Sequence, residues 1–144
     1  MNRVEDVERI VTAPQGVVAI RGAVQAAAND PSAIRRAVHQ LLGEITLRNP
    51  LREEDIVACL FTVTPDITSS FPARYAREWG WRSVPLLDLA SPAVPGDLPR
   101  VIRVLVLTAK LENSCHVYLG ATRQLRPDLF PENNVPSEGG LAHG

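Results

Sequence analysis

Apolar positions along the chain change period several times, and each change predicts an element. The β-branched run Val17-Val18-Ala19-Ile20 leads into Arg21 and Gly22, so a strand is expected to end at the arginine with a permissive glycine behind it. Asn29-Asp30-Pro31-Ser32 then offers a helix cap with proline at the first helical position. From there Ile34, Val38, Leu41, Leu42 and Ile45 recur at helical spacing, while Arg35, Arg36, Gln40 and Glu44 fall elsewhere. This predicts an amphipathic helix that ends near Asn49-Pro50, because the residue before proline resists the α region. Residues 56–64 read as a second strand, closed by a turn at Pro65-Asp66. A short helix is expected over 72–79, stopped by Gly80, and a third strand over 83–87, which Pro85 confines to an edge or a strand end.

After a proline-punctuated loop over 91–99 comes the run Val101-Ile102-Arg103-Val104-Leu105-Val106-Leu107. Such a run reads as a strand buried on both faces, where an unpaired guanidinium would cost several kcal/mol. Arg103 therefore needs an anion, either a carboxylate of the protein or a ligand for which the strand is the floor. A loop around Glu112-Asn113-Ser114 precedes a last strand, His116-Val117-Tyr118-Leu119. Residues 1–15 read as a flexible extension and 130–144 as a flexible tail, flanking one domain over 16–129. The order β, α, β, short α, β, β, β predicts an α+β fold, a mixed β-sheet with helices on one face. Because the strands look apolar on both faces and helices are few, further subunits are expected to cover the second face in a homo-oligomer.

Composition narrows the picture mainly by exclusion. With 144 residues, 45% of them hydrophobic, and a formal net charge of -1, the chain is long enough for one cored domain. It has no electrostatic footprint for nucleic acid or an anionic membrane surface. The start of the chain carries acidic residues and no apolar run, and no stretch is long and apolar enough to span a bilayer, so a cytoplasmic protein is expected. Cys59 and Cys115, each with apolar neighbours, are expected as reduced structural thiols. Lys110 is the only lysine among the basic residues, a bias that suits bidentate carboxylate recognition and equally suits GC-rich coding.

The chemistry-bearing motifs of nucleotide, metal and triad enzymes are absent, so no metal or cofactor is expected. The histidines are scattered: His39 on the helix surface, His116 structural at the start of a strand, His143 in the tail. What recurs is arginine at unusual positions: Arg21 at a strand end, Arg74 and Arg77 three apart on one helix, Arg103 in a strand, and Arg126 in the last ordered segment. Arg74 and Arg77 share a face and repel unless an anion lies over them. A small dicarboxylate would satisfy several of these arginines at once.

Read in order, Ile20-Arg21-Gly22-Ala23, Phe61-Thr62-Val63-Thr64-Pro65-Asp66 and Phe71-Pro72-Ala73-Arg74-Tyr75-Ala76-Arg77 resemble the small trimeric chorismate mutases of the Bacillus type. The likeness continues through Gly80-Trp81, Val84-Pro85-Leu86-Leu87, Pro95-Gly96, Leu98-Pro99-Arg100-Val101-Ile102-Arg103, His116-Val117-Tyr118-Leu119 and Leu125-Arg126-Pro127-Asp128-Leu129. It implies a homotrimer whose sheets form a pseudo-barrel with active sites between subunits. It also implies a reaction, the Claisen rearrangement of chorismate to prephenate, which needs neither nucleophile nor metal.

By the same resemblance Arg21 binds a substrate carboxylate, Arg103 faces the ether oxygen, and Tyr118 hydrogen-bonds a carboxylate. Phe71, Ala73, Leu86, Leu87 and Leu125 line the pocket, Arg74 falls where the family often has a basic, substrate-binding residue, and Arg77 and Arg126 match basic residues at the rim. Two features depart from the family. Its site glutamate is replaced by Ser91, and Asp88 stands where a small polar residue or cysteine is usual, so Asp88 is the candidate counter-charge for Arg103. The loop before His116 is shorter, with Cys115 in place of an arginine. Competing readings are a same-fold enzyme acting on a chorismate-related cyclic acid of specialised metabolism and a non-catalytic trimeric binder of a carboxylate metabolite. The trimeric imine-hydrolysing deaminases share the shape but fit these motifs poorly.

Overall fold

The first strand, β1 (Val17–Gln25), continues through Arg21 and Gly22 instead of ending there. The computed structural model describes residues 16–109 and 111–131; the expected extension 1–15, Lys110, and the tail beyond Pro131 with His143 lie outside the described residues. Asp30 caps helix α1 (Pro31–Arg48), its carboxylate accepting the Ala33 N–H at 2.8 Å, a contact worth about 1 kcal/mol. The helix stops at Asn49, ahead of Pro50, as the pre-proline restriction requires. Its stripe of Ile34, Val38, Leu41, Leu42 and Ile45 is fully buried, each side chain contributing about 1.5–3 kcal/mol.

Strand β2 (Ile56–Val63), helix α2 (Pro72–Trp79) and strand β3 (Leu86–Ala90) follow, then β4 (Val101–Ala109) and the two-residue β5 (Val117–Tyr118). Strand β3 starts after Pro85 where the sequence pattern placed it before; the Pro85 carbonyl accepts the Cys59 N–H at 2.9 Å and the ring then excludes further pairing. A 3-10 segment at Gly120–Leu125 has no counterpart in the hydrophobic pattern. The strands form one mixed sheet in the order β3-β2-β4-β1-β5, with β4 antiparallel to both neighbours and the two edge pairs parallel.

Strand pleating separates the two faces. Ile102, Val104, Val106 and Thr108 of β4 face the helices and are buried, with Ile20 and Val24 of β1 and Cys59 and Phe61 of β2 beside them. Arg103, Leu105, Leu107 and Ala109 face the other way and are half-exposed. Among the described residues the β4 run is therefore not buried on both faces: both α-helices pack on the same side and put no helical layer on the second face. On that second face Leu87 is 55% and Leu89 40% exposed. Among the described residues one end is covered, where Leu98, Leu125 and Phe130 pack over Ala23, Val101 and Tyr118. Phe130, assigned to the tail by composition, stands edge-on to Tyr118 with ring centroids 6.0 Å apart.

Gly22 serves close approach, not a turn. A Cβ there would lie 2.7 Å from the Val117 carbonyl oxygen and 3.2 Å from a Leu41 methyl, so the glycine admits both β5 and α1. Asn49, read from sequence as a helix stop, is fully buried. Its side-chain amide donates to the Cys115 carbonyl at 3.0 Å and its oxygen accepts the Cys115 N–H at 2.7 Å, tying the approach to β5 onto α1. Cys115 is itself exposed, against expectation, because this clamp holds its backbone and leaves the side chain outward. Cys59 is buried, and burial, with a smaller contribution from Asp88, pushes its thiol up to about 12. His39 is half-buried between the helices, its Nε2 3.2 Å from the Tyr75 carbonyl, and not on the open surface.

Candidate active site

The anion that Arg103 requires is Asp97: a guanidinium nitrogen lies 3.7 Å from the carboxylate, and both side chains are about three-quarters buried. Asp97 sits in the 91–99 loop, where Gly96 takes φ 84°, a conformation that glycine adopts without strain, and the Asp97 N–H donates to the Val94 carbonyl at 3.1 Å. Register places Thr62 of β2 and Ala23 of β1 on either side of Arg103. Thr62, Ser91, Asp97 and Arg103 share a cavity of about 540 Å³. The hydroxyls of Thr62 and Ser91 are buried there without a hydrogen-bond partner among the described residues.

A second cavity of about 360 Å³ brings Arg21 beside Arg103, with Leu60, Leu89 and Leu105 as apolar walls. The start of β4 is held by a brace. Arg100 takes φ 54°, unusual for a residue with a Cβ, while its N–H donates to Asp66 at 2.8 Å and its Nε to the Ala26 carbonyl at 2.9 Å. The Thr64 hydroxyl donates to Asp66 at 2.6 Å and accepts the Val101 N–H at 2.9 Å. Its bond, followed by the Arg100 N–H, holds the Asp66 carboxyl below the usual range despite some burial.

Beside this cavity the Arg21 N–H donates to His116 Nδ1 at 3.0 Å. Burial, then the charges of Arg126 and Arg21, pushes the His116 imidazole below its ordinary value, so the neutral ring acts as acceptor. Tyr118 is buried. Arg126 meets the Tyr118 hydroxyl and forks onto Asp128 at 2.9 and 2.7 Å, contacts that raise its own proton affinity, with Asp128 contributing more. Leu125 packs with Tyr118 over the covered end of the sheet.

The remaining residues gather elsewhere, around the first turn of α2. Phe71 is 69% exposed and lines a cavity of about 480 Å³ with Arg74, Asp88 and Leu89. Ala73 and Leu86 face the main core, Leu86 half-buried, so their side chains pack the interior and do not line this cavity. Leu87 points to the helix-free face. Each of the two arginines has a carboxylate within electrostatic reach, Glu78 for Arg74 and Asp88 for Arg77, as the smallest of the influences on that carboxyl.

Asp88 is not the partner of Arg103 within the chain. Register aligns Leu89, Thr62 and Arg103 on one face, and the strand period of two turns Asp88 to the helix side opposite Phe61. There its carboxylate accepts the Ala73 N–H at 3.0 Å and caps α2, whose own N-cap, Phe71, offers no side-chain acceptor. Burial raises the Asp88 carboxyl above its ordinary value, against the lowering effects of the Ala73 N–H and Arg77.

One chain thus carries two groups of expected site residues, one around Arg21, Arg103 and Tyr118 and one around Phe71, Arg74 and Asp88. Asp97 and Thr62 belong to the first group and were missed. The Pro95-Gly96-Asp97 turn close before Arg103 was the available signal for Asp97, whereas Thr62 becomes visible only through strand register.

Three comparisons bear on this arrangement. The model of the family described as chorismate mutase type I matches residues 17–129. A Thermus thermophilus protein named chorismate mutase AroH is 45% identical over 114 residues, covering 76% of this chain and 93% of the relative. Its Bacillus subtilis namesake is 36% identical over 120 residues, covering 81% and 94%. A solved chorismate mutase from Clostridium thermocellum superposes with a TM-score of 0.69 at 36% identity, over 74% of this chain and 98% of the other. With a family match that spans both arginine strands and the α2 turn, the chain belongs to the type I chorismate mutase family.

Proposed function

We propose that the protein is a chorismate mutase, an isomerase that converts chorismate to prephenate at sites formed between the subunits of a homotrimer. The observation that carries this reading is the pair Arg21 and Arg103 over one apolar-walled cavity on the helix-free face of the sheet. Chorismate is a dianion with an ether bridge. Its rearrangement breaks the ether C–O bond as a C–C bond forms within the same molecule, with no proton transfer and no covalent intermediate. What a protein supplies is restraint of the compact conformer and preorganised charge at the oxygen whose bond breaks. Arg21 binds one carboxylate, Arg103 donates to the ether oxygen, and Leu60, Leu89 and Leu105 exclude water around them. Tyr118 and Arg126 stand at the side of the second carboxylate.

Phe71, Arg74 and Arg77 belong to the other half of the site and meet this half across the subunit boundary. Two features support an assembled enzyme: the separation of the two groups in one chain and the exposure of Leu87 and Leu89 between them. Chorismate is the small-molecule partner, and neither nucleic acid nor membrane has a place in the reading; among the described residues no helix is long and apolar enough to cross a membrane. A cytoplasmic setting belongs to the same proposal.

The test is loss of chorismate absorbance by purified protein, with prephenate identified as product. Tight binding of chorismate without turnover would replace the enzyme with a carboxylate-binding module. Turnover of a related cyclic acid in preference to chorismate would move the protein to specialised metabolism.

A further inference from the structure

We propose that Asp97 receives the ring hydroxyl of the substrate and thereby selects hydroxylated cyclic acids, a role that rests on the mutase reading of the Arg103 cavity. At 3.7 Å the contact between Asp97 and Arg103 is an ion pair but too long for a hydrogen bond, so neither uses the other's hydrogen-bonding capacity. One carboxylate oxygen, Oδ1, accepts the Leu98 N–H at 2.8 Å, which orients the group. The other, Oδ2, has no hydrogen bond among the described residues. The cavity that Asp97 lines also holds Arg103, whose guanidinium lies nearest Oδ1, and the two orphaned hydroxyls of Thr62 and Ser91. Buried polar groups of this kind are ordinarily satisfied, and an occupant of the cavity can satisfy them.

The complement of this set is a molecule with an anionic or ether oxygen for Arg103 and, close by, a hydroxyl to donate to a carboxylate. Chorismate has that hydroxyl on its ring. A similar acid without it would bring its own negative charge toward Asp97 with no hydrogen bond in return, so the carboxylate discriminates by penalty as well as by attraction. Asp88 lacks the geometry for this task, since it faces the helices and is occupied with the Ala73 N–H.

The experiment compares wild type, Asp97→Asn and Asp97→Glu on chorismate and on its analogue lacking the ring hydroxyl. In parallel, calorimetry measures binding of a bicyclic dicarboxylate transition-state mimic with and without the hydroxyl. Asparagine presents an N–H where Oδ2 stood, so Asp97→Asn is expected to lower kcat/KM for chorismate about 10- to 100-fold, the loss typical of a hydrogen bond to a charged partner. It is expected to spare the deoxy analogue and to preserve the oligomeric size, with Asp97→Glu recovering part of the loss. Equal losses on both substrates, or no loss on either, would overturn the proposal. If wild type fails to convert chorismate, the mutase reading falls alone. The binding comparison then decides on Asp97: selective loss of the hydroxylated mimic supports it, and unselective or absent binding overturns it.

Discussion

At Arg103 the long contact with Asp97 leaves the guanidinium donors available to a ligand while keeping the charge compensated. Truncating it removes the one donor that the mechanism aims at the ether oxygen. Arg103→Ala is expected to lower kcat about 100-fold or more, in the range for one transition-state donor; a stopped assay with product identification checks this, and unchanged kcat would remove Arg103 from the mechanism. His116 sets a pH limit. Its folded value lies below 6.5, chiefly through burial, so the unfolded chain takes up the proton more readily. The neutral ring's contribution to stability is therefore complete above 6.5 and is lost as pH falls through the window down to the folded value. Protonation also turns Nδ1 from acceptor to donor and breaks its bond to the Arg21 N–H. Denaturant midpoints between about pH 8 and pH 5 should fall more steeply for wild type than for His116→Gln; parallel curves would contradict this.

Helix α2 is held at its start by a strand instead of by its own cap. Phe71 occupies the N-cap with its ring exposed, and Asp88 reaches across from β3 to the Ala73 N–H. Asp88→Ala should cost about 1 kcal/mol and loosen the turn that carries Phe71 and Arg74. Asp88→Asn keeps an acceptor and removes a charge whose folded value burial has raised. The sign follows: ionisation above the unfolded value of 3.8 weakens the folded state. The asparagine variant should therefore match or exceed wild type near neutral pH and lose that advantage as pH falls from the raised folded value to 3.8. Thermal melts of both variants across pH check the pair. The elements themselves were legible, since α1 carries a full apolar stripe, a proline start and a pre-proline stop. The facing of Asp88 was not, because a strand's two faces are assigned by its partner's register and a lone carboxylate leaves no period to read.

For the whole molecule, the two groups of site residues predict a site completed by a second copy. Mixed trimers of Arg103→Ala with the double variant Arg74→Ala, Arg77→Ala should regain activity, since about a quarter of random interfaces unite two intact halves; activity no greater than that of the separate variants would mean that one chain builds its site alone. The sequence by itself determined the element order, the helix caps, the arginines and the family pattern, because these reside in local spacing and composition. Tertiary structure alone decided that Arg103 faces Asp97 and not Asp88, and that, among the described residues, β4 is covered on one side and Thr62 and Ser91 leave hydroxyls unspent beside it. The physical reason is that pleat and register assign every strand residue to one of two faces, and a loop residue such as Asp97 reaches a strand only through the turn that folds it back.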